Sequence, residues 1–368
     1  MKKETYTNRM SRVLEAMEKQ GIDCFFAGPS ATMRYLCGYS GKGDERLLFL
    51  VLAPGKKPFI IANKLYELQV CTAPVEEFVY WLDGEDAAGL LMKELRKREI
   101  SVDTVAIDPT MPGRFFVPIM QQIPGSHMIL GNGLVDPLRI YKDIEEMEYM
   151  AQACRWASAA LENTISRGIW WIGKTEADFK DELCRQMTKQ GLTAHGGVVA
   201  VGANAAVPHH ITGQSVIEEG KCLLVDFSGN YEGYWSDMTR TFHFGEPTDE
   251  FKQVYEIVRE ANRRGKEAAK IGNYLQDVDR AARGYIESCG YGEYFTHRTG
   301  HGIGLEGHEG PSAAEGVEVP IVPGMCFSVE PGIYLPGKFG VRIEDQVQIR
   351  EDGRHVLHDV PRELRIIR

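Results

Sequence analysis

Met10, Val13, Leu14 and Met17 fall at i, i+3, i+4 and i+7, so four apolar side chains share one helical face, with Thr7 placed to cap its N-terminus. Short apolar runs follow at 23–28, 46–53, 57–62, 77–82 and 104–108, and each predicts a strand. Between the last two, AAGLLMKELRK returns to the helical period. Alternation of this kind predicts a layered α/β domain. The stretch GNGLVDPLR (131–139) reads as turns, and KDIEEMEYMAQACRWASAALENTI (142–165) then reads as one long helix. We therefore expect two domains, one over 1–135 and one over 136–368.

Beyond that boundary, Thr175 opens a TEAD sequence that fits a capping box and starts a further helix. Residues 249–270 predict a helix with Phe251, Val254, Tyr255 and Val258 on one side. LQDVDRAARGYIESCG predicts another, with Gly290 as its C-cap. Around this helical pair stand two apolar segments, KCLLVDFSG and MCFSVEPG, with the character of buried strands. Both carry the phrase Gly-x-Cys-x-x-Val-acid: Gly220, Cys222, Val225 and Asp226 in one, Gly324, Cys326, Val329 and Glu330 in the other. A second acid follows each, Asp237 eleven residues after Asp226 and Glu344 fourteen after Glu330. The repetition predicts two related halves facing each other across a shared site.

A carboxylate inside a buried strand is costly unless something pairs with it. Taken singly, each acid has a plainer reading: Asp226 ends a hairpin strand, Asp237 pairs with Arg240, Glu330 is a solvated strand end and Glu344 joins a surface charge run. Four acids in matching places instead call for a common partner, and a pair of divalent cations is the simplest. His301, in TGHGIGLEGHEGP, is a fifth candidate ligand. Its flanking Gly300, Gly302 and Gly304 allow close backbone approach or positive φ. An acid-rich set with one imidazole fits Mn²⁺, Co²⁺ or Zn²⁺, with Mn²⁺ the best match. Cys222 and Cys326 share a strand face with their acids, and we read them as small core residues. His209 and His210 follow Pro208 in an unusual place for core histidines, whereas His355 and His358 read as solvated. His297 lies four before His301, but the glycines between and around them break the helix a zinc pair would need. There is no HExxH, GxSxG or phosphate-binding loop.

Composition removes other classes. With 43% hydrophobic and 26% charged residues over 368 positions, the chain is an ordinary globular protein. A net charge of −10 without a basic stripe argues against a nucleic-acid partner. Apolar runs such as 47–53 are too short to span a membrane, and the N-terminus lacks the apolar core of a signal peptide. Eight scattered cysteines with no CxxC pair indicate reduced thiols, so we expect a cytoplasmic protein.

At these residues the chain resembles the pita-bread-fold metallopeptidases, the family of methionine aminopeptidase, aminopeptidase P and prolidase. The matching stretches are AVPHH (206–210), LLVDFSGNYEGYWSDMTRTF (223–242), TGHGIGLEGHEGP (299–311), MCFSVEPGIY (325–334) and VRIEDQVQI (341–349). The layout, including MRYLCGYSG (33–41), is similar to the aminopeptidase P and prolidase branch along essentially the whole chain. The resemblance implies an N-terminal creatinase-like α/β domain before a pita-bread catalytic domain, an antiparallel sheet of pseudo-two-fold symmetry with flanking helices. It implies that Asp226 binds one metal, that Asp237 and Glu344 bridge, and that His301 and Glu330 bind the second.

The implied reaction is hydrolysis of the peptide bond preceding proline by a hydroxide bridging two metals. Glu330 would carry the proton, His308 would stabilise the intermediate, and His209, His308 and Arg342 would meet the substrate. The implied partner is a small peptide with proline at its second position. The resemblance also implies a homodimer in which the N-terminal domain closes the other subunit's site, with GYSGKGDER (38–46) the candidate closing loop. One departure bears on substrate length. Some prolidases place an arginine directly after HExP to hold the dipeptide carboxylate, and here Ser312 follows Pro311. We favour an Xaa-Pro dipeptidase, with Xaa-Pro aminopeptidase as the alternative and a creatinase-type small-molecule hydrolase third.

Overall fold

The first helix, Lys3–Gln20, starts one turn earlier than expected, so Thr7 lies inside it and donates to the carbonyl of Lys3. Met10, Val13 and Met17 form its buried stripe, and Leu14 lies at the stripe's edge. A computed structural model describes residues 1–41 and 43–368. The chain divides into two units, Met1–Arg139 and Ile140–Arg368.

In the first unit a six-stranded sheet runs in the spatial order Glu77–Trp81, Phe59–Asn63, Phe49–Leu52, Cys24–Ala27, Thr104–Ile107, His127–Leu130. The five strands expected from apolar runs are present. The sixth, His127–Leu130, lies at the sheet edge with both ends exposed, so its sequence shows no buried apolar run of the kind that marks the others. Phe49–Leu52 pairs antiparallel with both neighbours, whereas the outer pairings are parallel. Asn132–Arg139 is a helix where turns were expected. Leu134 and Val135 are buried there, and that burial overrides the local preference of Asn132, Gly133 and Pro137.

In the second unit the expected capping box at Thr175 is formed, and a second one, not read from the sequence, opens the long helix. Thr175 and Asp178 cap Glu176–Gln190, and Asp143 with Glu146 does the same for Ile144–Ile165. These two helices pack on a four-stranded sheet ordered Ile366–Ile367, Tyr234–Phe244, Cys222–Tyr231, Thr193–Val201. Leu161, Phe179 and Leu183 meet Val225, Phe227 and Met238 in that core. A second helical pair, Asp249–Ala268 and Leu275–Ser288, accompanies a five-stranded sheet ordered Glu309–Ala313, Gly300–Gly302, Cys326–Val329, Asp345–Arg350, Gly353–Val356. A two-stranded ribbon, Gly332–Leu335 with Phe339–Arg342, completes the architecture. Cys222 and Cys326 are core residues, as expected.

The two sheets meet along a seam. Glu344 N donates to Thr239 O at 3.1 Å, Thr241 Oγ1 to Arg342 O at 3.0 Å, and Arg342 N to Thr241 Oγ1 at 3.2 Å. His358, expected in solvent, is instead buried beside this seam and accepts from Gln346 N through Nδ1. After 356 the chain stays against Gln346, with Leu357 N donating to Gln346 O at 3.0 Å and Leu357 and Val360 buried, a path that its polar sequence does not announce. His355 is only partly exposed and faces Asp352.

Candidate metal centre

Register explains how acids eleven residues apart reach one place. Asp226 lies opposite Thr239 and Ser228 opposite Asp237, so Asp226 and Asp237 are diagonal neighbours on the same face of the hairpin. In the other half Val329 pairs with Asp345, and continuing that register sets Glu330 opposite Glu344. His301 sits between them because Gly300 and Gly302 let its strand press close. A Cβ at Gly300 would stand 1.9 Å from Ser328 O, and one at Gly302 would stand 2.7 Å from Gly310 O. Neither glycine has positive φ, so close approach is what these positions require.

The five expected ligands line one cavity of about 430 Å³ in the second unit, together with His209, His308 and Arg342. Donor atoms of Asp226, Asp237 and Glu344 lie within 4.8 Å of one another, as do those of His301, Glu330 and Glu344, and those of Asp237, His301 and His308. Glu344 belongs to two of these groups, and so does Asp237. Thr239 Oγ1 donates to Glu344 Oε2 at 2.7 Å, and Ser328 Oγ to Glu330 Oε1 at 3.2 Å, which fixes both carboxylates. Cys222 and Cys326 join none of the groups.

Charge in this cavity is out of balance. Burial, with the charges of Glu344, Asp226 and Glu330, pushes Asp237 well above the usual carboxylate range. Burial, Glu330 and Asp226 do the same to Glu344. Burial raises Glu330 to about 7, against the pull of Arg342. His301 Nδ1 donates to Gly302 O at 3.1 Å, which leaves a lone pair on Nε2. That lone pair stands 3.2 Å from Glu330 Oε1 and 3.9 Å from Asp237 Oδ2. Acceptors converging on acceptors, in oxygen-rich surroundings, are the donor set that divalent cations complete. The residues present fit such ions.

Around the expected ligands, Arg342 donates to Asp226 Oδ2, to the Tyr334 hydroxyl and, through Nε, to Thr239. His209 is an exposed cavity residue, whereas its neighbour His210 turns away to Glu176. The His308 ring lies against that of His301, with centroids 3.9 Å apart and planes tilted by 40°. Arg298 faces His308 Nδ1 at 3.4 Å. A guanidinium can only donate, so this nitrogen accepts and Nε2 carries the proton.

Three cavity or support residues escaped the sequence reading. His297 lines the cavity and accepts from the Tyr334 hydroxyl through Nε2, while Nδ1 donates to Arg298 O. Burial lowers its pKa to about 4. Its spacing from His301 was visible, but helical geometry was the wrong test for a loop. Arg298 beside it carried no signal of its own. Glu176 looked like part of a capping box; its carboxylate in fact accepts from Val201 N, Asn204 Nδ2, Gly213 N and the His210 ring, and so holds the segment that bears His209.

Among the described residues no helix is long and apolar enough to cross a membrane. Comparison with known proteins matches residues 148–351 to metallopeptidase family M24 and residues 9–141 to the Creatinase/Prolidase N-terminal domain. The chain is 33% identical to the probable dipeptidase PepE of Mycobacterium tuberculosis over 99% of its length and 97% of that protein's. It is 32% identical to an Xaa-Pro dipeptidase of Lactobacillus delbrueckii subsp. lactis, covering 95% of this chain and 96% of the relative. The crystal structure of a dipeptidase from Pyrococcus horikoshii OT3 superposes with a TM-score of 0.91 at 33% identity, over 97% of this chain and 99% of that one. A carboxylate-lined cavity that calls for cations, the sheet that builds it and these full-length matches agree: the chain is a metallopeptidase and belongs to family M24.

Proposed function

We propose that this enzyme hydrolyses the peptide bond preceding proline in Xaa-Pro dipeptides, using two divalent cations per chain, with Mn²⁺ the metal its donors suit best. The observation that carries the reading is the convergence of five donors from both halves on one cavity that also holds His209, His308 and Arg342. The relatives named as dipeptidases, one of them an Xaa-Pro dipeptidase, support the substrate class. Asp226, Asp237, His301, Glu330 and Glu344 would hold the ions, with Asp237 and Glu344 shared. Bound there, the cations supply an acidified water as nucleophile and polarise the scissile carbonyl.

The remaining work falls to side chains. Glu330, with a pKa of about 7 before metal binds, is the group suited to pass a proton to the leaving prolyl nitrogen. His308 offers its Nε2 proton to the developing oxyanion. His209 and Arg342 contact the substrate or the ligands behind it. We assign residues 1–135 to the N-terminal creatinase-like domain and 136–368 to the catalytic domain. We further place the enzyme in the cytoplasm, a reading supported by eight free cysteines, and as a homodimer. The segment 38–46 offered as a closing loop includes Lys42, which lies outside the described residues.

The test compares Ala-Pro with Ala-Pro-Ala, each with Mn²⁺ and with chelator. Metal-dependent cleavage of Ala-Pro in preference to the tripeptide is expected. Preference for the tripeptide would replace this reading with an Xaa-Pro aminopeptidase, and cleavage of neither would reject both.

A further inference from the structure

We propose that Arg298 binds the C-terminal carboxylate of a dipeptide substrate and so selects dipeptides over longer chains. The inference rests on the Xaa-Pro reading above. A dipeptide's own carboxylate lies one residue from the bond to be cut, so it must enter a cavity already lined by Asp226, Asp237, Glu330 and Glu344. Two divalent cations would offset these acids, but their surroundings are acceptors, so an incoming carboxylate still needs hydrogen-bond donors of its own.

Two guanidiniums line the cavity, Arg342 and Arg298. Arg342 is committed. It is buried, and its three nitrogens donate to Asp226, Tyr334 and Thr239. Arg298 is exposed, and among the described residues it has no carboxylate partner. Its Nη1 donates to Ser312 Oγ at 3.0 Å and its Nη2 faces His308 at 3.4 Å, which leaves further N–H groups for an incoming ligand. A guanidinium fork matches a carboxylate in bidentate fashion.

The backbone beneath Arg298 is fixed, as a binding residue requires. Arg298 O accepts from His297 Nδ1 at 2.7 Å, His297 O accepts from Arg283 at 2.6 Å, and Thr299 N donates to Asp279 at 3.1 Å. A longer peptide would bring a neutral amide to the place where this cation waits. The same arginine thus links chain-length selection to His308, whose tautomer it also sets.

The test uses the full-length, Mn²⁺-loaded enzyme with Ala-Pro and Ala-prolinamide, which differ only in the terminal charge. In Arg298→Ala the ratio of kcat/KM for Ala-Pro to that for the amide should fall by roughly 10- to 100-fold, the range for losing a hydrogen bond to a charged group. The loss should sit mainly in KM, and inhibition by free L-proline should weaken in parallel. Adding Ser312→Arg to that variant should restore the ratio, because position 312 lies within hydrogen-bond reach of the lost guanidinium. Equal losses on both substrates, with unchanged proline inhibition, would overturn the proposal and leave Arg298 acting through His308 alone. Wild-type inactivity on both substrates would remove the Xaa-Pro reading itself, and this inference with it.

Discussion

Arg342 donates from Nη2 to Asp226 Oδ2 at 2.6 Å, so a strand of one half of the catalytic unit holds the first acid of the other. The pair does two things at once. It neutralises part of a cluster that would otherwise be four acids and one imidazole, and it aligns Asp226 while leaving the second carboxylate oxygen available.

Arg342→Met should therefore destabilise the metal-free protein by about 1–3 kcal/mol, because the part-exposed Asp226 loses a charged partner and the buried Tyr334 and Thr239 lose a donor. Mn²⁺ should raise the melting temperature of this variant more than that of the wild type, because no side-chain cation then competes for Asp226. Thermal scans with chelator and with Mn²⁺ measure both. An unchanged metal-free melting temperature would contradict the role given to the pair.

Glu330 gives a pH signature. Its folded pKa, about 7, lies above the unfolded value near 4, so the metal-free fold binds this proton more tightly than the unfolded chain does. The stability this contributes is complete below about pH 4 and is lost as pH rises through about 7. Glu330→Gln should thus stabilise the chelated protein relative to wild type at pH 8, with much less effect at pH 5. Mn²⁺ requires the ionised acid, so its stabilisation of the wild type should grow from pH 5.5 to 8 and be largely absent in the variant. Scanning calorimetry at three pH values decides the matter.

His358 acts in the opposite direction. Burial lowers its pKa to about 3, and among the described residues Nε2 has no hydrogen-bond partner. Protonation therefore favours the unfolded chain. The stability is full above about pH 6.5 and falls by about 2 kcal/mol at pH 5. His358→Asn, which keeps an acceptor for Gln346 N, should flatten that decline. Urea titrations of the chelated protein at pH 7 and pH 5 provide the comparison, and parallel declines would exclude His358 as the cause.

Glu176 ties function to a residue outside the cavity. Burial opposes its ionisation, yet hydrogen bonds from Asn204, His210, Gly213 and Val201 hold its pKa below the usual range. Glu176→Ala removes all four and should cost about 2–3 kcal/mol. Amide exchange across 201–213 should quicken, and KM for Ala-Pro should rise as His209 loses its fixed position. Unaltered exchange there would show that the segment is held by other contacts.

What the sequence disclosed and what it withheld separate along physical lines. The duplicated Gly-x-Cys-x-x-Val-acid phrase was legible because a buried carboxylate contradicts its apolar surroundings, and His301 because three glycines frame it. The helix at 87–97 follows from period alone, and its bounds match the apolar pattern. Arg298, His297 and Glu176 were not legible, since each takes its meaning from partners 10 to 37 residues away in the chain that only the folded sheet brings near. The helix Asn132–Arg139 and the burial of His358 were misread for the same reason: both depend on contacts made after the local pattern has had its say.

The hydrogen bond from Glu344 N to Thr239 O has a temporal meaning as well. Translation delivers Asp226 and Asp237 long before Glu330 and Glu344 leave the ribosome. Until then, on the proposed reading, the first hairpin carries two of the four acids and only half of the receptor. On the proposed reading, metal capture would wait until the second half of the catalytic unit has been made.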